Sequence, residues 1–545
     1  MTNTIGERAV LHGGPLSELP VPTLADALLR AARLDDAGRI VHLDGGAPQE
    51  RSYADLWHDA ARVLTGLRGA GVRPGDRVVL RVDGEPDLLT AFWACQLGGF
   101  VPAPVTAHPP AGSALSADEL LSAVWHLLDE PWVIASGRPG GAGVPAARWL
   151  GEVGDLRAED PVVEIRTAAV DDLAALLLTS GSTGLPKAVA LTHRNVLSRA
   201  HATALVRGLS RRNRTFNWMP LDHVGGLVMF HVRDVVLGCH QVHATTRWVL
   251  DDPLRWLDAV DEHRCDTTWA PNFAFGLVVD RADAIERRSW DLRRLGYVMN
   301  GGEPVKPRVA RRFLELLAPF GLPSTAMHPG WGMSETSAGV VDRVFSPLDG
   351  SDDDRFVPVG APHPGVSLRV VGADGHVLGE GETGRLHVSG APVTAGYYGD
   401  DRQNLQSFTD DGWFKTGDLA FISDGELTVT GRVDDLIEVG DTTCYGHEIE
   451  AAVEELPFVE PSYTVAFGIG GALEVAFHPR SGKSSDAEHW RIVQHVSQRF
   501  GVAVGRVHPV PKDAVPKTGI GKLKRAQLIA AIARSATEHR GFGNA

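Results

Sequence analysis

The chain has few cysteines, no long apolar run and an excess of negative charge. Its 545 residues include only Cys95, Cys239, Cys265 and Cys444, which form neither a C-x-x-C pair nor a zinc-binding spacing. We therefore expect reduced thiols and predict a cytoplasmic location. The N-terminal sequence MTNTIGERAVLHGG lacks a basic segment followed by an apolar one, so no secretory signal is expected. No apolar run is long enough for a membrane span.

The charge balance limits the classes of partner. A formal net charge of −15 opposes general affinity for nucleic acid or anionic lipid, although one basic pocket could still hold a nucleotide. The contents of hydrophobic residues (43%) and charged residues (22%) are typical of a globular protein. A chain of this length is too long for one ordinary core, so two or more domains are expected.

Helical and strand patterns alternate along most of the chain. In residues 52–80, Leu56, Ala60, Val63 and Leu67 share one helical face, and a Gly-rich turn then leads to an apolar strand. Such alternation predicts an α/β class. After about residue 360, short alternating segments separated by Asp-Gly and Glu-Gly predict β-hairpins.

A smaller α+β pattern begins near residue 432. It runs from ELTVTGRVDDLIEVG through the helical EIEAAVEEL to the helical EHWRIVQHVSQRF. We therefore place a large N-terminal domain at residues 1–432 and a small C-terminal domain at residues 433–545.

The stretch TSGSTGLPKAVALTH, residues 179–193, is typical of a loop that holds phosphate. Gly181 and Lys187 have the spacing of a kinase-type P-loop, but Pro186 and Ala188 replace its last glycine and its magnesium-binding Ser or Thr. Hydroxyls, backbone amides and a lysine after a buried strand can surround phosphate oxygens. The candidate phosphate-binding residues are Thr179, Ser180, Gly181, Ser182, Thr183, Gly184 and Lys187. An isolated G-S-T-G could also be an ordinary surface loop.

This stretch resembles the phosphate loop of the adenylate-forming superfamily, which includes acyl-CoA synthetases, fatty acyl-AMP ligases, nonribosomal peptide adenylation domains and firefly luciferase. Ala188 departs from the glycine that is usual there. Further motifs follow in the order of that family: NGGEPV (300–305), HPGWGMSETSAGV (328–340), GWFKTGDLA (412–420), TGRVDDLIEVG (430–440) and PKTGIGKLKR (516–525).

The resemblance implies a role for each matched residue. Trp331, followed by Gly332, would lie against the adenine, Ser334 would face the phosphate, and Glu335 would coordinate Mg²⁺. A hard cation prefers carboxylate and phosphate oxygens, and an aromatic face suits a purine. The remaining implied assignments are Gly301, Gly302 and Glu303 beside the adenine and acyl pockets, Asp418 and Arg432 on the ribose, Lys522 between carboxylate and α-phosphate, and Asp434 as the hinge.

The resemblance also implies the fold and the reaction. The fold would be a large N-terminal domain of two α/β subdomains and a distorted β-barrel, with a small mobile α+β lid. The reaction would activate a carboxylic acid to acyl-AMP with release of pyrophosphate, using ATP and Mg²⁺. A non-catalytic member is disfavoured because Lys187, Glu335, Asp418, Arg432 and Lys522 are all present.

The sequence leaves two thiols as candidates to accept the acyl group, that of CoA and that of a carrier protein. Transfer to CoA, as in acyl-CoA synthetases, is the main prediction, but Asp441 stands where CoA ligases usually carry glycine. The stretch DTTCYGHEIE, with Tyr445, is more similar to acyl-AMP ligases that load carrier proteins, yet the segment that those ligases insert after S-E-T is short here. The alternative is therefore an acyl-AMP ligase that leaves thioester formation to a carrier protein or a separate enzyme.

The acid is expected to be apolar. WMPLDHVGGLVMFH (218–231) is similar to the P-L-x-H-x-x-G stretch of acyl ligases, and His223 would be the gate beside the carboxylate. Asp222 is not in the F-D-x-[ST] register with which amino-acid-activating domains hold an α-ammonium. Phe273 and Phe275, with Gly301, are predicted to line the acyl pocket, although core packing would also explain two aromatic residues.

Two other enzyme classes have less support in the sequence. A P-loop kinase or ATPase is disfavoured by Pro186 and Ala188, and it would release ADP or transfer phosphate instead of releasing AMP. A luciferase-like oxidative activity shares the adenylation motifs and has no specific support in the sequence.

Overall fold

The computed structural model describes residues 8–109, 113, 115–141, 143–161, 164–166, 168–180, 186–348, 350–352, 354–440, 442–517 and 523–541. The chain divides into two compact units. The first contains Met1–His108, Leu115–Thr416 and Phe421–Thr428, and the second contains Pro109–Ala114, Gly417–Ala420 and Val429–Ala545. The proposed domain boundary after Arg432 stays a prediction.

The strands, in chain order, are β1 Val10–His12, β2 Arg39–Leu43, β3 Gln49–Ser52, β4 Arg77–Arg81, β5 Val101–Pro104, β6 Trp132–Ala135, β7 Trp149–Gly151, β8 Leu173–Ser180, β9 Pro186–Thr192, β10 Arg214–Asn217, β11 His240–Ala244, β12 Thr267–Ala270, β13 Tyr297–Gly301, β14 Met327–Met333, β15 Ala338–Asp342, β16 Val366–Val371, β17 Gly384–Gly390, β18 Phe414–Ser423, β19 Glu426–Arg432, β20 Leu436–Val439, β21 Thr442–Tyr445, β22 Val459–Ile469, β23 Ala472–Pro479 and β24 Val504–Pro509.

The helices, in chain order, are α1 Leu24–Ala32, α2 Tyr53–Gly69, α3 Glu85–Gly98, α4 Ala117–Leu127, α5 His193–Arg207, α6 Arg233–Leu237, α7 Thr246–Asp251, α8 Arg255–Glu262, α9 Asn272–Val279, α10 Ala282–Ile285, α11 Pro307–Leu317, α12 Asp401–Ser407, α13 Gly446–Glu454, α14 Asp486–Phe500 and α15 Arg525–Gly541.

An eight-stranded sheet organises the first unit, with the strand order β15-β14-β13-β12-β10-β11-β2-β3. The neighbours from β14 through β13, β12, β10 and β11 to β2 are all parallel, and only the outer strands β15 and β3 pair antiparallel. Parallel strands need crossover connections, which the intervening helices provide. The α/β class expected from the sequence is therefore confirmed.

A second, four-stranded sheet of order β5-β4-β6-β7 is entirely parallel. The helix α2 precedes it and begins at a capping box, in which the Ser52 hydroxyl accepts from the Asp55 N–H and the Asp55 carboxylate accepts from the Ser52 N–H. Its residues Leu56, Val63 and Leu67 are fully buried, as their shared helical face predicts.

The remaining strands of the first part of the chain are mainly antiparallel. β8 and β9 form a two-stranded hairpin, and β1, β16, β17, β18 and β19 form a five-stranded sheet in that order. The β16–β17 pair is antiparallel, as the hairpin signals after residue 360 predict.

The second unit has its own apolar core. The strands β22, β23 and β24 form a three-stranded sheet, and β20 pairs with β21. Ile449, Val475, Phe477 and Ile492 are completely buried in that core. In the part of the chain that the structure describes, no helix combines the length and the apolar character that a membrane crossing requires. The cytoplasmic location stays a prediction.

Candidate functional site

Predicted site residues lie near or after the ends of four neighbouring parallel strands of the eight-stranded sheet. His223 follows β10, Phe273 follows β12, Gly301 ends β13, and Trp331 lies near the end of β14. Because β14, β13, β12 and β10 are adjacent and parallel, their carboxyl ends meet at one edge of the sheet. Open α/β sheets bind ligands at that edge. The fold thus brings together residues that lie far apart in the sequence.

The predicted phosphate loop joins the hairpin of β8 and β9, and Thr179 is the register partner of Lys187. The predicted residues Gly181, Ser182, Thr183 and Gly184 lie outside the described residues, and the side chain of Ser180 is likewise not described. The contacts of this loop are therefore described through Lys187.

Lys187 is held by neutral groups. Its Nζ donates to the amide Oε1 of Gln403 at 2.9 Å and lies 5.2 Å from the centre of the Tyr397 ring. Neither contact adds negative charge. The lysine is thus fixed in place while its positive charge stays available for a phosphate oxygen.

Glu335 lies in a short 3₁₀ turn, Ser334–Thr336, directly after β14. It is buried, and its Oε1 accepts a 2.7 Å hydrogen bond from the Tyr397 hydroxyl. The next residues, Ser337 (φ 56°) and Ala338 (φ 105°), have positive φ, a strained conformation for residues other than glycine. Such strain is common beside functional groups.

A buried carboxylate fits the first protein ligand of a magnesium ion that is otherwise bound by phosphate oxygens. No cluster of three or more His, Cys, Asp or Glu side chains suited to a metal occurs within the described ranges. The role of Glu335 as a magnesium ligand stays a prediction.

Trp331 and Gly332 lie at a register shift between β14 and β15. A Cβ atom on Gly332 would lie 2.1 Å from the carbonyl oxygen of Ala338, so only glycine fits there. The close approach of the two strands fixes the position of Trp331, which is 8% exposed.

The NGGEPV stretch ends β13. Gly301 faces the carbonyl oxygen of Gly330, which a Cβ atom would approach to 2.9 Å, and Gly302 has a φ of 79°. The carboxylate of Glu303 accepts a 3.1 Å hydrogen bond from the backbone N–H of Phe273. This bond joins the ends of β12 and β13 at the predicted acyl pocket.

His223 precedes an unusual π-helical segment, Gly225–Val232. The N–H of Gly225 donates to Nδ1 of His223 at 3.1 Å, so the neutral ring carries its proton on Nε2. A Cβ atom on Gly225 would lie 2.2 Å from the Trp269 ring, which therefore packs directly against this glycine. π-helical turns are frequent at functional sites.

Phe273 and Phe275 lie in different surroundings. Phe273 is partly exposed in the first turn of α9, whereas Phe275 is fully buried and packs edge-on against Trp256 and Phe313, with ring centres 5.3 and 5.0 Å away. The structure thus places Phe275 in an aromatic core and Phe273 beside Glu303.

Asp222 interacts with a neutral group. Burial raises the pKa of its carboxyl, opposed by hydrogen bonds to its own backbone N–H and to the Thr106 hydroxyl. Burial favours the neutral form of this carboxyl in the absence of a compensating cation.

Asp418 and Arg432, the predicted ribose ligands, both lie in the second unit. The Arg432 guanidinium is 3.8 Å from the Asp418 carboxylate, and the Asp418 side chain is 11% exposed. Gly417 has a φ of 77°, and a Cβ atom there would lie 2.8 Å from the Arg432 guanidinium. The structure therefore brings this predicted pair together.

Asp434 is exposed in a 3₁₀ turn after β19, and its hinge role stays a prediction. Tyr445 packs over Gly431, where a Cβ atom would lie 2.7 Å from its ring, and the Thr430 hydroxyl donates to the Tyr445 hydroxyl at 3.2 Å. Tyr445 thus contacts the residues that immediately precede Arg432.

Lys522 lies outside the described residues, but the chain on either side of it is anchored. Lys517 and Leu523 form an antiparallel bridge, and the Lys524 N–H donates to the Pro516 carbonyl at 2.9 Å. Arg525 then pairs with Glu450 at the start of α15. The role of Lys522 stays a prediction.

The sequence interpretation missed Tyr397, Gln403 and Trp269. The GYY sequence at 396–398 could have indicated Tyr397, since an aromatic pair follows a glycine shortly before an Asp-rich helix start. Trp269 is the penultimate residue of β12, which ends at Ala270, and strand ends of this kind are positions where ligand contacts are common. No local signal distinguishes Gln403.

Comparisons with known proteins agree on one family. A family model described as AMP-binding enzyme matches residues 29–398. The chain is 32% identical over 542 residues to the nonribosomal peptide synthetase apvA of Aspergillus terreus, covering 95% of this chain and 58% of that protein. It is 31% identical over 519 residues to the microperfuranone synthase of Emericella nidulans, covering 88% and 54%. The chain thus spans little more than half the length of these relatives.

Solved structures give the same result. "Structure of McyG A-PCP complexed with phenylalanyl-adenylate" matches with a TM-score of 0.91 and 34% identity, covering 98% of this chain and 86% of that one. The adenylation domain of a keto acid-selecting NRPS module bound to keto acyl adenylate matches with a TM-score of 0.76 and 34% identity, covering 92% and 100%. A fatty acyl-adenylate ligase, at 23% identity and a TM-score of 0.84 over 96% and 100%, shares the fold.

Proposed function

The chain belongs to the family of AMP-binding enzymes, and we propose that it uses ATP to convert a carboxylic acid into an acyl adenylate and then passes the acyl group to a carrier-protein thiol. One observation carries the proposal. The predicted adenine, acyl and gate residues lie near or after the carboxyl ends of the adjacent parallel strands β10, β12, β13 and β14. A nucleotide and an acid bound along that edge would lie side by side.

The proposed reaction joins two anions, so the residues act by neutralising charge and by alignment. A carboxylate oxygen attacks the α-phosphorus of ATP, the bond from that phosphorus to its bridging oxygen breaks, and pyrophosphate leaves. Lys187 would bind the β- and γ-phosphates, and Lys522 would lie between the carboxylate and the α-phosphate. Mg²⁺ held by Glu335 would add positive charge at the phosphate oxygens.

The acceptor proposal favours a carrier protein over CoA. The relatives include nonribosomal peptide synthetases and a structure described as A-PCP, which supports the alternative of the sequence interpretation more than its acyl-CoA synthetase reading. The contacts of Tyr445 with Gly431 also lie in the stretch that is more similar to carrier-loading ligases. CoA is the competing acceptor.

The acid is proposed to have an apolar, aromatic side chain and no α-ammonium. Trp269 and Phe273 supply an apolar surface near His223 and Glu303. Asp222 is outside the register in which amino-acid-activating domains hold an ammonium; it contacts Thr106 and has a raised pKa because of burial. One structural relative is described with a keto acyl adenylate and another with phenylalanyl-adenylate, so a 2-keto acid is the specific proposal.

The first experiment compares acids that share one side chain. The protein is incubated with ATP, Mg²⁺ and phenylpyruvate, phenylalanine or 3-phenylpropionate, and products are identified by mass. We expect pyrophosphate and an acyl adenylate from phenylpyruvate, with phenylalanine at least tenfold slower. A preference for phenylalanine would overturn the keto acid proposal, and ADP in place of AMP would overturn adenylation.

The second experiment tests Lys522 and the acceptor. The Lys522→Ala variant should lose adenylation by about 10²- to 10³-fold, as is typical when a preorganised charge is removed. Lys524→Ala, two positions further on, is the matched control. Acyl transfer to a phosphopantetheine-bearing carrier protein, but not to CoA, is expected of the unmodified chain. Rapid acyl-CoA formation would instead favour an acyl-CoA synthetase.

A further inference from the structure

Tyr397 lies between the predicted phosphate lysine and the predicted metal carboxylate. Its side chain is 8% exposed. Its hydroxyl donates to Oε1 of Glu335 at 2.7 Å, and the ammonium of Lys187 lies 5.2 Å from the centre of its ring. One buried aromatic residue therefore contacts both groups, by a charge-assisted hydrogen bond and by a cation–π contact.

The backbone around Tyr397 joins the same two motifs. The Thr394 N–H donates to the carbonyl oxygen of Glu335 at 2.8 Å. On the other side, the Ala190 N–H donates to the Gly396 carbonyl at 3.1 Å, and the Tyr398 N–H donates to the Ala188 carbonyl at 2.8 Å. The segment 394–398 is thus hydrogen-bonded both to the Glu335 turn and to β9, which carries Lys187.

We propose that Tyr397 is a positioning residue that fixes the Lys187 ammonium and the Glu335 carboxylate at a set separation before ATP and Mg²⁺ bind. The inference rests on the proposed function, which gives these two groups their ligands. Opposite charges in a poorly solvated site attract strongly, and a direct ion pair would neutralise both. The tyrosine gives each group a partner that leaves its charge intact.

The two contacts can be removed separately. Tyr397→Phe keeps the ring beside Lys187 and removes the hydrogen bond to Glu335, whereas Tyr397→Leu removes both. Tyr398→Phe is the matched control, because it removes the neighbouring hydroxyl and keeps the ring, whose centre lies 5.7 Å from the Arg77 guanidinium carbon. Apparent unfolding temperatures of all variants verify that each is folded.

Nucleotide binding is measured by calorimetry with ATP, with and without Mg²⁺, and the Mg²⁺ dependence of pyrophosphate release is measured alongside. For Tyr397→Phe we expect the half-saturating Mg²⁺ concentration to rise about tenfold or more, since hydrogen bonds to charged groups are among the stronger ones. ATP binding without Mg²⁺ should stay within about twofold for Tyr397→Phe and weaken for Tyr397→Leu. Tyr398→Phe should match the unmodified protein.

A double-mutant cycle with Glu335→Gln separates positioning from simple packing. If Tyr397 acts through the carboxylate, Tyr397→Phe has no further effect on Mg²⁺ dependence in the Glu335→Gln background. Equal effects in both backgrounds, or an unchanged Mg²⁺ dependence of Tyr397→Phe, would overturn the proposal. The calorimetry needs no acid substrate, so a failure of acid activation in the unmodified protein would be seen separately.

Discussion

The Lys187 ammonium donates its hydrogen bond to the neutral side-chain amide of Gln403, although a carboxylate at that position would attract the ammonium more strongly. Gln403 is itself fixed, since its backbone N–H donates to the Asp400 carboxylate and its side-chain Nε2 donates to the Ser407 hydroxyl. A carboxylate in its place would form an ion pair that ATP phosphates must break. The neutral partner thus keeps the lysine ready for an anionic ligand.

We therefore predict that Gln403→Glu raises the KM for ATP about threefold to tenfold, because a partly exposed ion pair is worth roughly 1 kcal/mol. Gln403→Met, which removes the amide without adding charge, should leave the KM within about twofold of the original value. The measurement is ATP-dependent pyrophosphate release at saturating acid. An unchanged KM in Gln403→Glu would show that Lys187 does not bind the triphosphate.

Gly225 gives a second prediction at this scale. A methyl group there would lie 2.2 Å from the Trp269 ring and 3.3 Å from Nδ1 of His223. Gly225→Ala should displace both side chains and raise the KM for the acid roughly tenfold, since overpacking a buried site costs about 1–3 kcal/mol. The KM for ATP should change little. Gly276→Ala, where a Cβ atom meets nothing within 4 Å, is the control. Equal effects of the two variants would contradict the prediction.

The individual site residues differ in how far the sequence could predict them. Trp331, Glu335 and Lys187 belong to local motifs, so their presence was visible, whereas Tyr397 gains its meaning only from contacts with residues far away in the chain. The two phenylalanines of α9 illustrate a different limit. Residues two positions apart on a helix point to different sides, so Phe273 and Phe275 cannot share one pocket wall.

At the scale of elements, the helix α15 is fixed at its first residue. The Arg525 guanidinium donates to both carboxylate oxygens of Glu450 on α13, and the same carboxylate accepts from the Ala466 N–H at 3.1 Å. Burial raises the pKa of Glu450, and the charge and hydrogen bonds of Arg525 oppose that rise. Without Arg525, a buried carboxylate would lose its compensating charge.

Arg525→Ala should therefore destabilise the second unit by about 3–5 kcal/mol, the usual cost of leaving one buried partner uncompensated. Adding Glu450→Gln should recover much of that loss. Arg534→Ala, on an exposed turn of the same helix, is the control. Thermal unfolding monitored by calorimetry tests the ranking. Equal unfolding temperatures for Arg525→Ala and Arg534→Ala would contradict a stabilising role for the pair.

Elements with a clear period were predictable, and those without one were not. The apolar face of α2 matches the sequence prediction. The π-helical segment Gly225–Val232 is apolar on all sides and has no period that distinguishes it from a buried strand. Strand order also could not be predicted, because no local sequence pattern indicates that β12 lies between β10 and β13 in the sheet.

At the scale of the whole molecule, the chain order differs from the spatial order. Gly417–Ala420 belongs to the second unit although it precedes the long segment that begins at Val429. The ribose candidate Asp418 is therefore grouped with Arg432 by contacts that no periodic pattern contains. The sequence predicts a large and a small domain. Only the structure shows that segments of the two units alternate along the chain between Gly417 and Val429.

The first unit also contains a buried cluster of histidines that are neutral in the folded state. Gln241 accepts from Nδ1 of His231 and from Nε2 of His243, and Trp93 donates to the other nitrogen of His231. His42 stacks on His243 with ring centres 5.5 Å apart. Burial, together with neighbouring positive charge, lowers the pKa of His42 and of His243 to about 3.

Those shifts fix the direction of the pH dependence. Histidines of the unfolded chain bind protons near pH 6.5, whereas the folded cluster resists protonation until about pH 3. Stability from the cluster is thus complete above about pH 6.5 and is lost as the pH falls towards 3. Each such histidine contributes a slope of at most about 1.4 kcal/mol per pH unit. Asp342 adds to the loss only at lower pH, because the His363 and Arg207 contacts outweigh burial and hold its pKa well below the ordinary range.

We therefore predict an apparent unfolding temperature that is nearly constant from pH 8 to 7 and falls steeply from pH 6 to 5, with proton uptake on unfolding measurable by calorimetry in buffers of different ionisation enthalpy. His243→Gln should reduce the proton uptake at pH 5 by about one proton, because one histidine no longer titrates in the unfolded chain. His108→Gln should not reduce it, since that side chain is 84% exposed and lies outside the buried cluster. Equal proton uptake in the two variants would show that the buried cluster does not govern acid stability.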